Sequence, residues 1–108
     1  MATVYKVLGQ ANPAATTATT LYTVPAATST VVSTIVVANL GVSGTYRIAI
    51  RPAGASLASS HYIAYDGALN ANDSITWTFG MTLATTDVIT IYGSNTSFAF
   101  TAFGSEIA

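Results

Sequence analysis

The chain has 108 residues, of which only three are Lys or Arg and four are Asp or Glu, giving a net charge of −1 at pH 7; an average soluble domain has about a quarter of its residues charged. That length suits one domain with one core, and three scattered cations, Lys6, Arg47 and Arg51, provide no basic stripe for a phosphate backbone, so nucleic acid is not an expected partner. The lack of cysteine excludes a disulfide framework, a zinc–thiolate site and a thiol nucleophile.

Eighteen threonines among dispersed Val, Ile and Ala favour strands over helices, because β-branched side chains fit a pleated surface and lose χ1 freedom in a helix. In chain order, residues 3–8 and 20–24 are short strand signals. The small, polar, low-complexity stretch at residues 11–20 between them reads as a loop or extended connector. Residues 30–39 are apolar in both parities, with Val31, Ile35 and Val37 on one face and Val32, Val36 and Ala38 on the other. Such a strand is central in a sandwich or meets a neighbouring subunit. Residues 45–51 alternate strictly, Tyr46, Ile48 and Ile50 against Thr45, Arg47, Ala49 and Arg51, which predicts a half-buried strand.

Residues 52–60 are rich in small residues and read as a surface loop. A strand follows at residues 61–65, and at residues 74–79 the alternation returns, with Ile75, Trp77 and Phe79 inward against Ser74, Thr76 and Thr78. Residues 88–92 and 97–103 complete the set. Turn chemistry separates the segments at residues 41–44, 52–54, 66–67, 70–73 and 93–95, where Gly, Asn and Asp supply positive φ or Asx turns. About eight short strands at roughly ten-residue spacing predict an all-β fold, a single antiparallel β-sandwich with Greek-key or jelly-roll connections. The domain is expected to span residues 1–108, with residues 1–20 offered as an extended N-terminal arm and connector.

Mean hydropathy is high at +0.53, yet the longest apolar stretch, residues 31–42, is broken by Ser33, Thr34 and Asn39 and is shorter than the roughly 20 residues of a membrane-spanning helix. Membrane association is not expected, and strands of this length fall short of the ~9–11 residues of an outer-membrane barrel strand. The first residues lack the basic start and apolar core of a secretory signal.

Residues with chemical potential are few. His61 is the single histidine, and an acid–base or metal role would require Asp, Glu or a second His to converge on it. Asp66, Asn70, Asn72 and Asp73 make the densest oxygen cluster, but their spacing is not that of a calcium loop and turn formation accounts for it. Asp66, Asp73, Asp87 and Glu106 sit at apparent turns or the C-terminus, which is poor placement for a glycosidase pair. No Gly-x-Ser-x-Gly elbow or phosphate-binding glycine loop is present. The expectation is a protein that is not an enzyme, without catalytic, cofactor-binding or metal-ligating residues. Tyr62 and Tyr65 are the candidates for contact with a ligand, such as a sugar ring in an adhesin.

Exposed sheet edges need Lys, Pro or a cover to resist strand addition, and soluble surfaces rely on dispersed charge. One lysine cannot supply either, so the edges and one sheet face are expected to be buried in a permanent assembly. The candidate interface residues are Tyr5 and Val7 on the N-terminal strand, and Arg47 and Arg51, which share an outward face and are candidates to meet a partner's carboxylates.

Val7-Leu8-Gly9-Gln10, Leu21-Tyr22-Thr23-Val24-Pro25-Ala26, Tyr46-Arg47-Ile48-Ala49-Ile50-Arg51-Pro52-Ala53-Gly54, His61-Tyr62-Ile63-Ala64-Tyr65-Asp66, Ala71-Asn72-Asp73 and Phe103-Gly104-Ser105-Glu106-Ile107 together resemble small virion structural proteins of tailed bacteriophages, including phages of cyanobacteria. The resemblance runs nearly end to end. It implies a non-enzymatic role in the virion, assembled in the host cytoplasm, as a capsid decoration (cement) protein, with a tail, baseplate or fibre module or a host-glycan adhesin as the alternatives. Its implied partners are copies of itself, as a homotrimer by analogy with decoration proteins, and the major capsid protein or another virion protein. The match leaves no extra domain, which favours a free-standing small protein over a fibre tip.

Overall fold

The computed structural model describes residues 2–108; the side chain of Phe79, which the alternation places on the inward face, lies outside the described residues. Eight strands form: β1 (Thr3–Ala11), β2 (Thr19–Thr23), β3 (Ser29–Asn39), β4 (Gly44–Arg51), β5 (Tyr62–Leu69), β6 (Ser74–Leu83), β7 (Val88–Gly93) and β8 (Phe98–Ile107). They divide into two four-stranded sheets in the orders β1-β8-β3-β6 and β2-β7-β4-β5. First pairs with last, second with seventh, third with sixth and fourth with fifth, all antiparallel. A long hairpin rolled onto itself gives this nesting, and it is the topology of an eight-stranded jelly roll.

The core lies between the sheets. Leu21, Tyr22, Ile48, Ile89 and Ile91 of one sheet face Val32, Ile35, Val37, Phe98, Phe100 and Ala102 of the other, and Tyr46 is 2% exposed. Ile75 and Trp77 pack against this core from β6 as the alternation predicts, and Trp77 Nε1 donates to the Tyr46 hydroxyl at 3.0 Å. Among the described residues no buried side-chain nitrogen or oxygen lacks a partner, as a well-formed interior requires.

Several local readings change. In β3 the register shifts between Val32 and Thr34 against both neighbouring strands. The buried set therefore switches parity, from Thr30 and Val32 to Ile35, Val37 and Asn39. Val32 is a core residue and Val31 faces outward, the reverse of strict alternation, because one extra residue at a bulge rotates everything beyond it. The central position expected for this strand is observed.

Asp66 and Gly67 lie within β5 and form no turn between strands. Residues 1–20 do not extend as an arm in the monomer: β1 pairs with β8 from Thr3 to Ala11. The following segment is tied down by Asn12, whose amide donates to the carbonyls of Thr96 and Phe98 at 3.0 and 2.6 Å, and by the Thr16 amide donating to Gly93. Residues 52–60 form an exposed loop, as read. Ala49, predicted to face outward beside Arg47, is 1% exposed.

Candidate functional site

Two surfaces gather the residues that the sequence singled out. One is the outer face of β1, β8 and β3. Register alignment puts Tyr5, Ser105 and Val31 on one rung and Val7, Phe103 and Thr34 on the next. Tyr5 is 84% exposed, Val7 48% and Phe103 38%. Together they line a shallow hollow of about 510 Å³ with Lys6, Val31, Ser33, Gly104 and Ser105. Tyr5 and Val7 were legible as candidates, whereas Val31 was concealed by the bulge and Phe103 by the absence of any sign of which face it takes.

The second surface lies on the opposite sheet. In β5 the register slips between the Tyr46–Gly67 and Ile48–Ala64 pairs, so Tyr65 and Asp66 together oppose Arg47. Asp66 takes a φ of +51°, the left-handed conformation that Asp tolerates better than most side chains. As a result Arg47 Nε donates to Asp66 Oδ1 at 2.7 Å and Nη2 to Oδ2 at 3.3 Å. The guanidinium also lies over the rings of Tyr65 and Tyr92, 4.2 Å from each centroid. Its pKa is held above the ordinary value, chiefly by the hydrogen bond to Asp66. Tyr65 meets Tyr62 edge to face, with centroids 4.8 Å apart. Both tyrosines border a groove of about 670 Å³ with Leu57, Ala58 and Ser59.

Arg47 and Arg51, which the sequence offers as contacts for a partner's carboxylates, each hold partners within the chain. Arg47 is paired within the chain, and Arg51 donates to Thr90 Oγ1 at 3.0 Å and to the carbonyls of Gly54 and Ala55. Lys6 is also engaged, its Nζ 3.2 Å from Glu106 Oε1. Among the acids, Asp87 accepts from the amides of Ala53 and Ala84, and Asp73 from that of Ser74. Every one of the seven charged side chains thus has a hydrogen-bond or ion-pair partner within the chain.

The remaining candidates are dispersed. His61 Nδ1 accepts from the Ala58 amide at 3.1 Å, closing the turn that leads into β5. Asp66 is turned onto Arg47, away from Asp73, whose amide donates to Asn70 in the β5–β6 turn. Among the described residues no group of three or more His, Asp or Glu is placed to hold a metal ion, and no helix is long and apolar enough to cross a membrane.

Comparison with known proteins adds little. No protein-family model matches the chain, and no curated protein does. Among solved structures, a chain from the structure of infectious bursal disease virus Gx strain is similar over 97% of this chain, at 15% identity and a TM-score of 0.44. The present chain spans 30% of the length of that one.

Proposed function

We propose that this protein is a non-enzymatic structural component of a virion, and that its specific role is capsid decoration, holding a head shell together by packing against copies of itself and a larger shell protein. The observation that carries the reading is the apolar outer face centred on Tyr5, Val7, Val31 and Phe103, on a chain whose charges are all engaged internally. One lysine, Lys6, borders this face, and it is paired with Glu106, so little charge keeps the face apart from another protein. The three strands β1, β8 and β3, about 14 Å wide and roughly 33 Å long, offer about 500 Å², part of the ~800 Å² per partner of a standard-size interface.

Two further supports are independent of that face. The near end-to-end resemblance to small virion proteins of tailed phages favours this class of protein. The eight-stranded jelly roll is an architecture used in viral shells, although it also serves lectins and other proteins, so the fold alone selects none of them. The mechanism is mechanical. Apolar and main-chain surface buried across subunit boundaries favours the assembled state by mass action.

Quantitative mass spectrometry of purified virions tests the role. A decoration protein is expected at hundreds of copies per particle. A few to dozens of copies would place it in the tail, baseplate or fibres, and absence from the particle would overturn the virion reading itself.

A further inference from the structure

We propose that the groove beside Tyr62 and Tyr65 is a binding site for a neutral saccharide. The inference does not depend on the virion role, since it rests on the other sheet and on different residues. The groove is open to solvent, with a volume of about 670 Å³, within the roughly 300–1,000 Å³ of small-ligand sites.

Both walls are held in place. Arg47, bidentate on Asp66, lies against the Tyr65 ring at 4.2 Å, and Tyr62 meets that ring edge to face. The opposite wall, Leu57 to Ser59, follows a stretch whose Gly54 and Ala55 carbonyls are fixed by Arg51, and the Ala58 amide is held by His61 Nδ1. Arg47 therefore braces the tyrosine wall directly, while Arg51 fixes the chain just ahead of the other wall. Stiff aromatic side chains lose little conformational freedom on binding, which favours them as contact surfaces.

Ligand class follows from the lining. It contains no charged side chain, and the nearest carboxylate, Asp66, is matched by Arg47, so an ionic ligand finds no counter-charge. Two tyrosine rings with interplanar angle 81° form a corner, and Tyr65 is 59% exposed. A pyranose presents C–H bonds on its faces, which suit the negative face of an aromatic ring, and hydroxyls around its rim. The lining supplies hydroxyls from Ser59, Tyr62 and Tyr65, none of which is bonded to another described residue. A peptide could instead pair with the free edge of β5, so a peptide is included as a contrast in the test.

The test titrates the full ¹⁵N-labelled chain with maltohexaose, cellohexaose and mannohexaose, with a hyaluronan hexasaccharide and a proline-rich peptide as contrasts, and follows amide shifts by NMR. At least one neutral oligosaccharide is expected to shift the amides of residues 57–65 saturably in the millimolar range. Tyr65→Ala should weaken binding by about tenfold, equivalent to one aromatic contact. Ser59→Ala leaves the Arg47 cluster intact and should weaken it by about threefold, the loss of one modest hydrogen bond. Absence of binding by every neutral sugar, binding by only the charged sugar or the peptide, or neutral-sugar binding unchanged in both variants would each overturn the proposal.

Discussion

The hydroxyl of Tyr22 donates to Glu106 Oε2 at 2.5 Å, linking β2 of one sheet to β8 of the other. Because the carboxylate accepts that proton, the Thr30 hydroxyl, 2.8 Å away, is the donor to Tyr22, and Lys6 completes the network from β1. One residue from each of four strands is tied at the end of the sandwich where the chain termini pair. The hydrogen bond from Tyr22, with help from Lys6, holds the Glu106 carboxyl below its ordinary pKa of 4.5.

A depressed carboxylate contributes stability that is fully present above its unfolded pKa and is lost as pH falls through the folded value. The melting temperature should therefore hold through neutral pH and decline below about 4.5 as Glu106 is protonated. Glu106→Gln is expected to lower the melting temperature at pH 7 and to flatten the acid limb. An acid limb as steep in the variant as in the parent would assign it to other carboxylates.

At the alkaline end, burial first and then the bond to Glu106 push the Tyr22 phenol from 10.0 up to about 12. A raised pKa contributes stability that is complete below the unfolded value and lost as pH rises through the folded one, so stability should fall between about pH 10 and 12. Tyr22→Phe removes that contribution and leaves Thr30 and Glu106 without their partner, at a cost of about 1–2 kcal/mol at neutral pH by chemical denaturation.

Gly67 sits against the Tyr46 ring: a Cβ there would lie 2.7 to 2.9 Å from three atoms of that buried side chain. Gly67→Ala should displace the ring, disturb its bond to Trp77 and destabilise the fold by about 1–3 kcal/mol. Gly80→Ala is the matched control, since nothing lies within 4 Å of the added methyl, and it should be neutral or stabilising by up to ~1 kcal/mol. Denaturant midpoints of the two variants, with tryptophan fluorescence as the probe, check the contrast.

Arg47→Lys keeps the charge but cannot bond Asp66 through two nitrogens or lie flat on the rings of Tyr65 and Tyr92. Near-UV circular dichroism from the tyrosines should weaken and the melting temperature should fall. A variant matching the parent in both would show that the bulge at Tyr65 and Asp66 holds without the guanidinium.

Much of this architecture is legible in the residues. The alternation of Tyr46, Ile48 and Ile50 and of Ile75 and Trp77 locates two strands and their inward faces, and turn residues place most boundaries. Bulges are what alternation cannot show, because an extra residue carries no compositional mark. Ser33 reverses the faces of Val31 and Val32, and Asp66 followed by Gly67 reads as a turn when the chain in fact continues as a strand. Tyr62 and Tyr65 were visible as candidates, while the clamp of Arg47, Asp66 and Tyr92 that supports them depends on register across three strands. The internal partners of Arg47 and Arg51 were hidden for the same reason.

The outer face of β1, β8 and β3 is expected to be a contact between molecules. Sedimentation velocity at micromolar concentration measures this, on the parent chain and on a Tyr5→Ser, Val7→Ser, Phe103→Ser variant whose circular dichroism confirms the fold. A parent mass that is a multiple of 11.1 kDa, collapsing to the monomer in the variant, is the predicted result. A parent chain that is monomeric, or an assembly that the three substitutions leave intact, would contradict it.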